Sequence, residues 1–337
     1  MEQLRVSKEM LPCLKNRYLK INYLLAIVVI NSIVSCKSIK VAEKDRAIAI
    51  AYNVAVKDSL GNSNYEIFTM NMDGSNSKNI TNNKDVAWTY RAYNDVLYFI
   101  SDRDTCYRCY FLYKMNYQGD NVQKVSHLQL EDSWMDYNKN GSEIIVSGRI
   151  GKDIRHQLFV INSKNGTYRQ ITNDTLGKYK DPAYSPDGKK IAFVYKKNKR
   201  DKSLNDEVFV MDFDGKNLKQ LTFFPKNNVS YVSNGYKAGA ISWHPTENFI
   251  SYLSMQDNRH NIYAVTPDGK KQWRLTQNDF SEGWHSWSSD GKWLVFDSSN
   301  ADESQYHIML MNWQTKVVTQ LTDSKFKYQQ SPVFIMK

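Results

Sequence analysis

Hydrophobic and polar residues alternate along short segments from Ala47 to the C-terminus, and tight Asp-Gly or Asn-Gly turns separate many of these segments. The clearest example runs from Asp181 to Phe193, where an apolar segment, the turn Asp187-Gly188 and a second alternating segment follow one another. Alternation with a period of two predicts strands, and an Asp-Gly turn between two such strands predicts a β-hairpin. The pattern therefore indicates an all-β fold.

One unit of this kind occurs six times along the chain. The segment Glu66 to Thr81 has a near copy in Glu207 to Thr222, and looser copies occupy the intervals around them. Four short antiparallel strands per period of about 45 residues are typical of a propeller blade. We therefore predict a six-bladed β-propeller of four-stranded antiparallel blades. A hydroxyl residue closes each copy, 45 to 54 residues after the previous one, at Thr81, Ser126, Thr172, Thr222, Thr276 and Thr322.

An aromatic residue precedes the hairpin turn of each unit. Because it recurs with the repeat, it favours packing between blades over a platform for a ligand. Aligned on the turn, these aromatic residues are Tyr90, Tyr137, Tyr184, Trp243, Trp287 and Phe334.

The two ends of the repeat region complement each other. Ser331 to Phe334 repeats the start of a blade, while Ala47 to Tyr52 is a second strand without an inner strand before it. We expect the C-terminal strand to complete the first blade, so that no sheet edge is exposed. The propeller is predicted to span residues 47–337 and to be monomeric.

Blades reading Ser185-Pro-Asp-Gly-Lys-Lys-Ile-Ala-Phe193, followed by Phe209-Val-Met-Asp-Phe-Asp-Gly and a closing Leu221-Thr222, resemble the WD40-like repeats of TolB-type periplasmic proteins. The resemblance covers the chain from about Ala47 onward and implies a propeller of the bacterial cell envelope. That family includes envelope scaffold proteins, glycan-acting lyases and the propeller halves of peptidases, so the resemblance implies the fold more strongly than one function. The separate N-terminal α/β domain of TolB-type proteins is expected to be absent, because about ten residues separate Cys36 from the first strand.

Residues 1–36 form a predicted targeting segment. Five basic side chains accompany an apolar run, 21–36, that Asn and Ser interrupt and that is too short to cross a bilayer comfortably. The ending Ile33-Val34-Ser35-Cys36 resembles the lipobox of bacterial lipoproteins, which implies cleavage before Cys36 and attachment of a lipid to it. A plain secretory signal and an uncleaved anchor are the alternatives. Residues 37–46 are then a short linker, and the protein is expected in the periplasm or on the outer membrane.

The net charge of +10 arises from 45 basic and 35 acidic residues, and part of the excess belongs to the targeting segment. A nucleic-acid interface would need the excess on one face, and an exported protein rarely meets nucleic acid, so we predict no nucleic-acid partner. Contact with the membrane is expected through the lipid anchor. An acidic glycan stays open as a second class of ligand.

Two cysteines, Cys106 and Cys109, lie in the propeller region. A single Cys-x-x-Cys is a weak signal for zinc, which needs four ligands, or for a redox pair, which needs a helix after a strand. A local disulfide is predicted, because the protein is expected to be exported. No metal or cofactor is predicted.

Partner-binding residues are expected on the rim where longer loops join second to third strands and one blade to the next, because tight turns occupy the other rim. Arginine and tryptophan are frequent at binding hot spots. A buried structural role is the alternative for His285. The candidates on the loop-bearing rim are Arg103, Arg149, Arg155, Arg259, His260, Trp284 and His285.

We predict a non-enzymatic envelope lipoprotein that binds a protein or peptide partner on this rim. No Gly-x-Ser-x-Gly elbow of a hydrolase occurs. The alternatives are another propeller that processes or binds glycans and, more specifically, a metal-assisted polysaccharide lyase acting on oligouronides. In it, His260 and His285 would hold a metal together with Glu282, Asp257 or Asp279, although their spacing matches no fixed metal motif.

Overall fold

The computed structural model describes residues 48–57, 63–225, 237–256 and 259–337. Their strands form six antiparallel sheets arranged as the blades of a β-propeller, as predicted. The predicted signal segment, the linker and Cys36 lie outside the described residues. Within the described ranges, no helix has the length and apolar character needed to cross a membrane.

The first blade joins the two ends of the propeller. Its strand order is β25 (Gln329–Met336), β1 (Ile48–Lys57), β2 (Ser63–Asn71) and β3 (Lys78–Asn79). Strand β25 pairs antiparallel with β1, from Ile48 opposite Met336 to Val54 opposite Gln329. The C-terminal strand is therefore the inner strand of the first blade, and the predicted ring closure is confirmed.

The other blades follow along the chain, each running from its inner to its outer strand. Blade 3 differs because its inner strand is split into two short segments that both pair with the second strand. The strands of blade 2 are β4 (Trp88–Tyr93), β5 (Val96–Ser101), β6 (Phe111–Asn116) and β7 (Gln123–Lys124), and those of blade 3 are β8 (Gln129–Leu130), β9 (Asp136–Tyr137), β10 (Glu143–Ile150), β11 (Ile154–Asn162) and β12 (Tyr168–Gln170). Blade 4 contains β13 (Lys178–Tyr184), β14 (Lys190–Lys196), β15 (Glu207–Asp212) and β16 (Lys219–Gln220). Blade 5 contains β17 (Ala238–Trp243), β18 (Ile250–Gln256), β19 (Arg259–Val265) and β20 (Gln272–Arg274), and blade 6 contains β21 (Ser281–Trp287), β22 (Trp293–Ser299), β23 (Tyr306–Asn312) and β24 (Val318–Gln320).

The core lies between neighbouring blades. On β14 the residues from Ile191 to Val194 are fully buried, because a blade packs against each face of the sheet. Phe193 belongs to a cluster that also contains Ile145 and Leu158 of blade 3. Burial on both faces explains why the second strands are continuous apolar runs rather than strictly alternating ones.

The hydroxyl residue that closes a repeat fixes the end of the outer strand to the third strand. In four blades, the threonine Oγ1 accepts a hydrogen bond of 2.8 to 3.0 Å from a backbone N–H of the third strand. The repeated threonine is thus a structural feature. The donor and acceptor pairs are Ile67 and Thr81, Leu158 and Thr172, Val208 and Thr222, and Ile308 and Thr322.

The predicted register of the repeated aromatic residue holds in five blades and is wrong in blade 2. There, Ala92 takes the position opposite Leu97, and Tyr90 lies two residues earlier. The difference arises because the turn at Asn94 and Asp95 is shorter than the other hairpin turns. In the other blades the pairs are Tyr137 with Ile144, Tyr184 with Ile191, Trp243 with Ile250, Trp287 with Leu294 and Phe334 with Ile50.

Candidate functional site

The inner strands surround the central channel and carry β-bulges at similar heights. A polar side chain from the preceding blade binds the backbone N–H at several of these bulges. These bonds hold the inner strands in place and so position both mouths of the channel. The acceptors are Asn53 Oδ1 for Thr89 (2.7 Å), Ser133 Oγ for Asp181 (2.7 Å), Asp181 Oδ2 for Ala240 (3.0 Å) and Asp297 Oδ2 for Ser331 (2.8 Å).

A cavity of about 720 Å³ lies on the loop-bearing rim, where the inner strands begin. We call it the rim cavity. Its wall is formed by blades 1, 2 and 6 and by the segment of blade 3 between β8 and β9. Its principal lining residues are Tyr65, Trp88, Tyr90, Tyr110, Asp132 and Trp284.

Trp88, at the start of β4, is at the centre of the aromatic wall. Its ring centroid lies 4.6 Å from that of Tyr65 and 5.7 Å from that of Trp284, both in edge-to-face geometry, and 6.2 Å from that of Tyr90. The indole Nε1–H of Trp88 is buried and has no hydrogen-bond partner among the described residues. A buried donor of this kind is costly unless a bound molecule supplies an acceptor.

Asp132 places a negative charge beside the aromatic wall. Its side chain is exposed, and it accepts a hydrogen bond from the Tyr90 hydroxyl. Burial, reinforced by the charge of Asp132, raises the pKa of Tyr90 well above its usual range and the pKa of Tyr110 to about 12. Both hydroxyls therefore stay protonated at physiological pH and can serve as donors.

The turn between β5 and β6 forms the lip of the rim cavity. Tyr107 at its tip is 80% exposed, and the Arg108 side chain lies over the Tyr107 ring, 5.5 Å from its centroid. Cys106 and Cys109 flank these residues with their Cα atoms 5.2 Å apart, a separation that suits a disulfide. The disulfide itself stays a prediction.

Of the residues predicted from sequence, Trp284 lines the rim cavity. Arg103 lies at its edge, where its Nε is 3.7 Å from Oδ2 of the lining residue Asp85. Arg155 makes two hydrogen bonds to the Glu131 carboxylate, of 3.1 and 3.2 Å, and so pairs within the protein. The Nε atom of Arg149 is buried.

The three candidates of blades 5 and 6 other than Trp284 do not line the rim cavity. Arg259 donates from Nη1 to the backbone oxygen of Asp279 (2.5 Å). Burial lowers the pKa of His260. His285 is fully buried, its Nε2 lies 2.7 Å from Ser251 Oγ, and burial lowers its pKa to about 3. This placement favours the structural alternative for His285.

The residues named for a metal-dependent lyase are not gathered into a ligand set. The Glu282 carboxylate accepts hydrogen bonds from Ile262 N–H (2.9 Å), Asn278 Nδ2 (2.5 Å) and the Thr276 hydroxyl, so its oxygen atoms are already engaged. Across the described ranges, no group of three or more His, Cys, Asp and Glu side chains is placed to hold a metal ion. Asp257 lies outside them.

The predicted partner-binding residues do not include Trp88, Tyr65, Tyr110 or Asp132. The available signal was the pair Trp88 and Tyr90, because it places two aromatic side chains at alternate positions of one inner strand. Only Tyr90 was considered, as a copy of the repeated aromatic residue.

A second cavity, of about 450 Å³, lies at the opposite end of the channel, where tight turns were expected to leave little space. Five of the six repeated aromatic residues, all except Tyr90, line it together with Arg91 and Asp136. Arg91 Nε is 2.9 Å from Asp136 Oδ1, and Asp136 Oδ2 accepts the backbone N–H of Tyr184 at 2.9 Å. This ion pair ties the inner strands of blades 2, 3 and 4 together.

Comparisons with known proteins agree with the fold. The chain is 25% identical over 224 residues to "Tol-Pal system protein TolB" of Francisella tularensis subsp. tularensis (strain WY96-3418), an alignment that covers 65% of this chain and 47% of the relative. The chain thus spans about half the length of the curated relatives it matches.

Two solved structures with low sequence identity share the fold. The crystal structure of TolB from Acinetobacter baumannii superposes with a TM-score of 0.62 at 14% identity, covering 86% of this chain and 67% of that one. The putative TolB from Agrobacterium tumefaciens superposes with a TM-score of 0.59 at 18% identity, covering 85% and 91%. Residues 155–335, more than half of the chain, match the family model described as "TolB beta propeller domain". The chain therefore belongs to the TolB β-propeller domain family.

Proposed function

We propose that this protein is a cell-envelope scaffold whose propeller binds a protein or peptide partner in the rim cavity and carries out no chemistry of its own. The observation that carries the proposal is the aromatic wall around Trp88 in a cavity of about 720 Å³. Membership of the TolB propeller family supports a role in the envelope, and the curated relative is named as part of the Tol-Pal system.

The wall has the composition of a binding hot spot. Tryptophan and tyrosine give a large contact area with few rotatable bonds, so little entropy is lost when a partner covers them. Trp88, Trp284 and Tyr65 are each partly exposed in the free protein. The exposed Tyr107 at the lip extends this surface toward a docking partner. An inserted side chain or peptide segment would meet aromatic surface on several sides.

Co-purification from native membranes tests the proposal. A double variant, Trp88→Ala with Trp284→Ala, should lose a protein that remains bound to the wild type, as identified by mass spectrometry. The matched control is Phe213→Ala, which removes a 47% exposed aromatic side chain from the turn between β15 and β16 on the other rim. Circular dichroism of each variant verifies folding. Identical partners in wild type and double variant would contradict the proposed site.

We also propose attachment to the membrane through a lipid on Cys36. Cys36→Ala should move the protein from the membrane pellet to the soluble fraction, because one transferred lipid is the proposed anchor. Cys13→Ala is the matched control, since it removes a thiol from the same targeting segment and should leave fractionation unchanged. This part of the proposal would be overturned if Cys36→Ala sediments like the wild type and mass spectrometry finds no lipid on the mature N-terminus of the wild-type protein.

The alternative of a polysaccharide lyase has no observation in its favour among the described side chains. Release of unsaturated products from acidic polysaccharides with added divalent metal would revive it.

A further inference from the structure

We propose that the rim cavity recognises a positively charged side chain of the partner, the guanidinium of arginine or the ammonium of lysine. This inference rests on the proposed function and specifies the chemistry of the group that enters the cavity.

The aromatic wall provides the first part of such a site. Aromatic rings carry partial negative charge on their faces and attract a cation placed within about 6 Å, with tryptophan the strongest. Six such side chains, two of them tryptophan, line the rim cavity: Tyr65, Trp88, Tyr90, Tyr110 and Trp284, with Tyr107 at the lip. A cation enclosed by several rings is held more firmly than one on a single exposed ring, because less water competes for it.

Asp132 provides the second part. Three carboxylates line the rim cavity, and two are already engaged: Asp85 lies beside Arg103, and Asp102 accepts the backbone N–H groups of Val86 (3.0 Å) and Arg108 (2.9 Å). In the part of the chain that the structure describes, no lysine or arginine forms an ion pair with Asp132. Its one side-chain donor there is the Tyr90 hydroxyl, and a carboxylate can accept further hydrogen bonds.

The fixed cations around the rim cavity do not occupy this position. Arg108 projects at the lip, where its Nε lies 3.2 Å from the Tyr107 hydroxyl, and its charge interacts with that of Asp132 without forming an ion pair. Lys84 is exposed to solvent, and Arg155 is bound to Glu131. The Asp132 carboxylate therefore has no lysine or arginine in direct contact with it among the described residues, and a cation from the partner would pair with it.

Trp88 adds a directional feature. Its buried Nε1–H needs an acceptor, and a cationic side chain has no acceptor atom. The backbone carbonyl next to an arginine or lysine residue supplies one. A peptide segment with a basic residue thus satisfies both the carboxylate and the indole, whereas a free metal ion would satisfy only the carboxylate.

Titration of the full-length protein, labelled with ¹⁵N at its tryptophan indoles, measures this preference directly. The probes are N-acetyl-arginine amide and its uncharged isostere N-acetyl-citrulline amide, at low ionic strength. Arginine amide should shift the Trp88 and Trp284 indole signals, which are assigned with Trp→Phe variants. Citrulline amide should bind at least 10-fold more weakly.

Asp132→Asn should weaken the binding of arginine amide about 10-fold. The indole signals of the free variant should stay dispersed, which shows that it is folded. The matched control is Asp187→Asn, which neutralises an exposed carboxylate in a hairpin turn on the other rim and should change nothing. Equal binding of arginine and citrulline amides, or unchanged binding in Asp132→Asn, would overturn the inference.

The two proposals fail in different experiments. If the Trp88 and Trp284 double variant loses its co-purified partner but arginine amide does not bind, the binding function stands and cation recognition is wrong. If arginine amide binds but no partner depends on the two tryptophans, the site recognises cations and the scaffold role is wrong.

Discussion

The two ends of the propeller channel are built from the same repeated unit, but they differ in whether their polar side-chain groups find hydrogen-bond or ion-pair partners within the protein. At the turn end the indoles are bound within the protein: Trp243 Nε1 donates to the Ala183 oxygen (3.1 Å) and Trp287 Nε1 to Ser251 Oγ (3.0 Å). At the loop end, the indole of Trp88 has no described hydrogen-bond partner and the carboxylate of Asp132 forms no described ion pair. These two indoles are engaged by the fold, whereas Trp88 and Asp132, each found in a single blade, are the groups that the proposed ligand would engage.

The largest expected effect comes from removing the strand that reaches both ends of the channel. Deleting residues 331–337 removes most of β25, which closes the first blade and carries Phe334 at the turn end. Two sheet edges would then be exposed, and we expect the cooperative thermal transition seen by circular dichroism to be lost. Deleting Lys337 alone is the control and should leave the transition within about 2 °C of the wild type. A truncated protein that unfolds at the wild-type temperature would show that ring closure does not stabilise the domain.

Two equivalent buried side chains on the second strands of blades 1 and 6 offer another comparison. Asn53 and Asp297 occupy the same position of β1 and β22, opposite Ile67 and Ile308, and each accepts a bulge N–H of the next blade. Burial raises the pKa of Asp297 to about 8. The same carboxyl ionises near pH 3.8 in the unfolded chain, so between about pH 4 and pH 8 it is protonated in the folded state and ionised in the unfolded state. The free energy of unfolding therefore falls as the pH rises through this range.

Asp297→Asn should therefore remove that loss and stabilise the protein at pH 8 by up to roughly 5 kcal/mol. Denaturant unfolding at several pH values from 4 to 9 measures it, with Asn53→Asp as the reciprocal change that should introduce the same pH dependence. Buried neutral His285 acts in the opposite direction, because its lowered pKa makes stability fall as pH drops below about 6.5. Both proteins contain His285, so its contribution cancels when the unfolding free energy of the wild type is subtracted from that of Asp297→Asn. If the unfolding free energies of the two proteins change with pH in parallel, Asp297 is not protonated in the folded wild type.

At the turn end, Asp136→Ala should destabilise the fold by about 3 kcal/mol, because it removes a buried carboxylate that pairs with the partly buried Arg91 and accepts the backbone N–H of Tyr184. The matched control, Asp187→Ala, removes an exposed carboxylate on the same rim and should cost well under 1 kcal/mol. Binding of arginine amide at the loop end should be unchanged in both variants at temperatures where they are folded. Loss of probe binding in Asp136→Ala would show that the two ends are not independent.

The sequence predicted the fold in detail because the repeat is local. Alternation, turn residues and the closing threonine recur within each unit, so the blade count and the closure by Ser331 to Phe334 could be found without any distance information. The predicted register of Tyr90 was wrong because the alignment relied on this local pattern, and one shortened turn shifts it by two residues.

The candidate site was predicted only in part because it depends on contacts between segments far apart in the chain. The loop-bearing rim and Trp284 were identified from loop positions and residue type. The pairing of Arg155 with Glu131, 24 residues away, and the burial of His285 against Ser251 of another blade have no local pattern. Exposure and counterions decide which charged residue is available to a ligand, and only the folded arrangement determines them.

Closure of the first blade also determines how the domain would respond to force. Ile48 lies opposite Met336, so the start of the first strand and the end of the last strand are neighbours at one end of an antiparallel ladder. Tension applied between the two ends of the propeller would load the hydrogen bonds of β1 and β25 one at a time, as in opening a zipper, rather than all together in shear. The seam of the first blade is thus the mechanical weak point of a domain that is otherwise continuous around the ring, and it would open before the other blades.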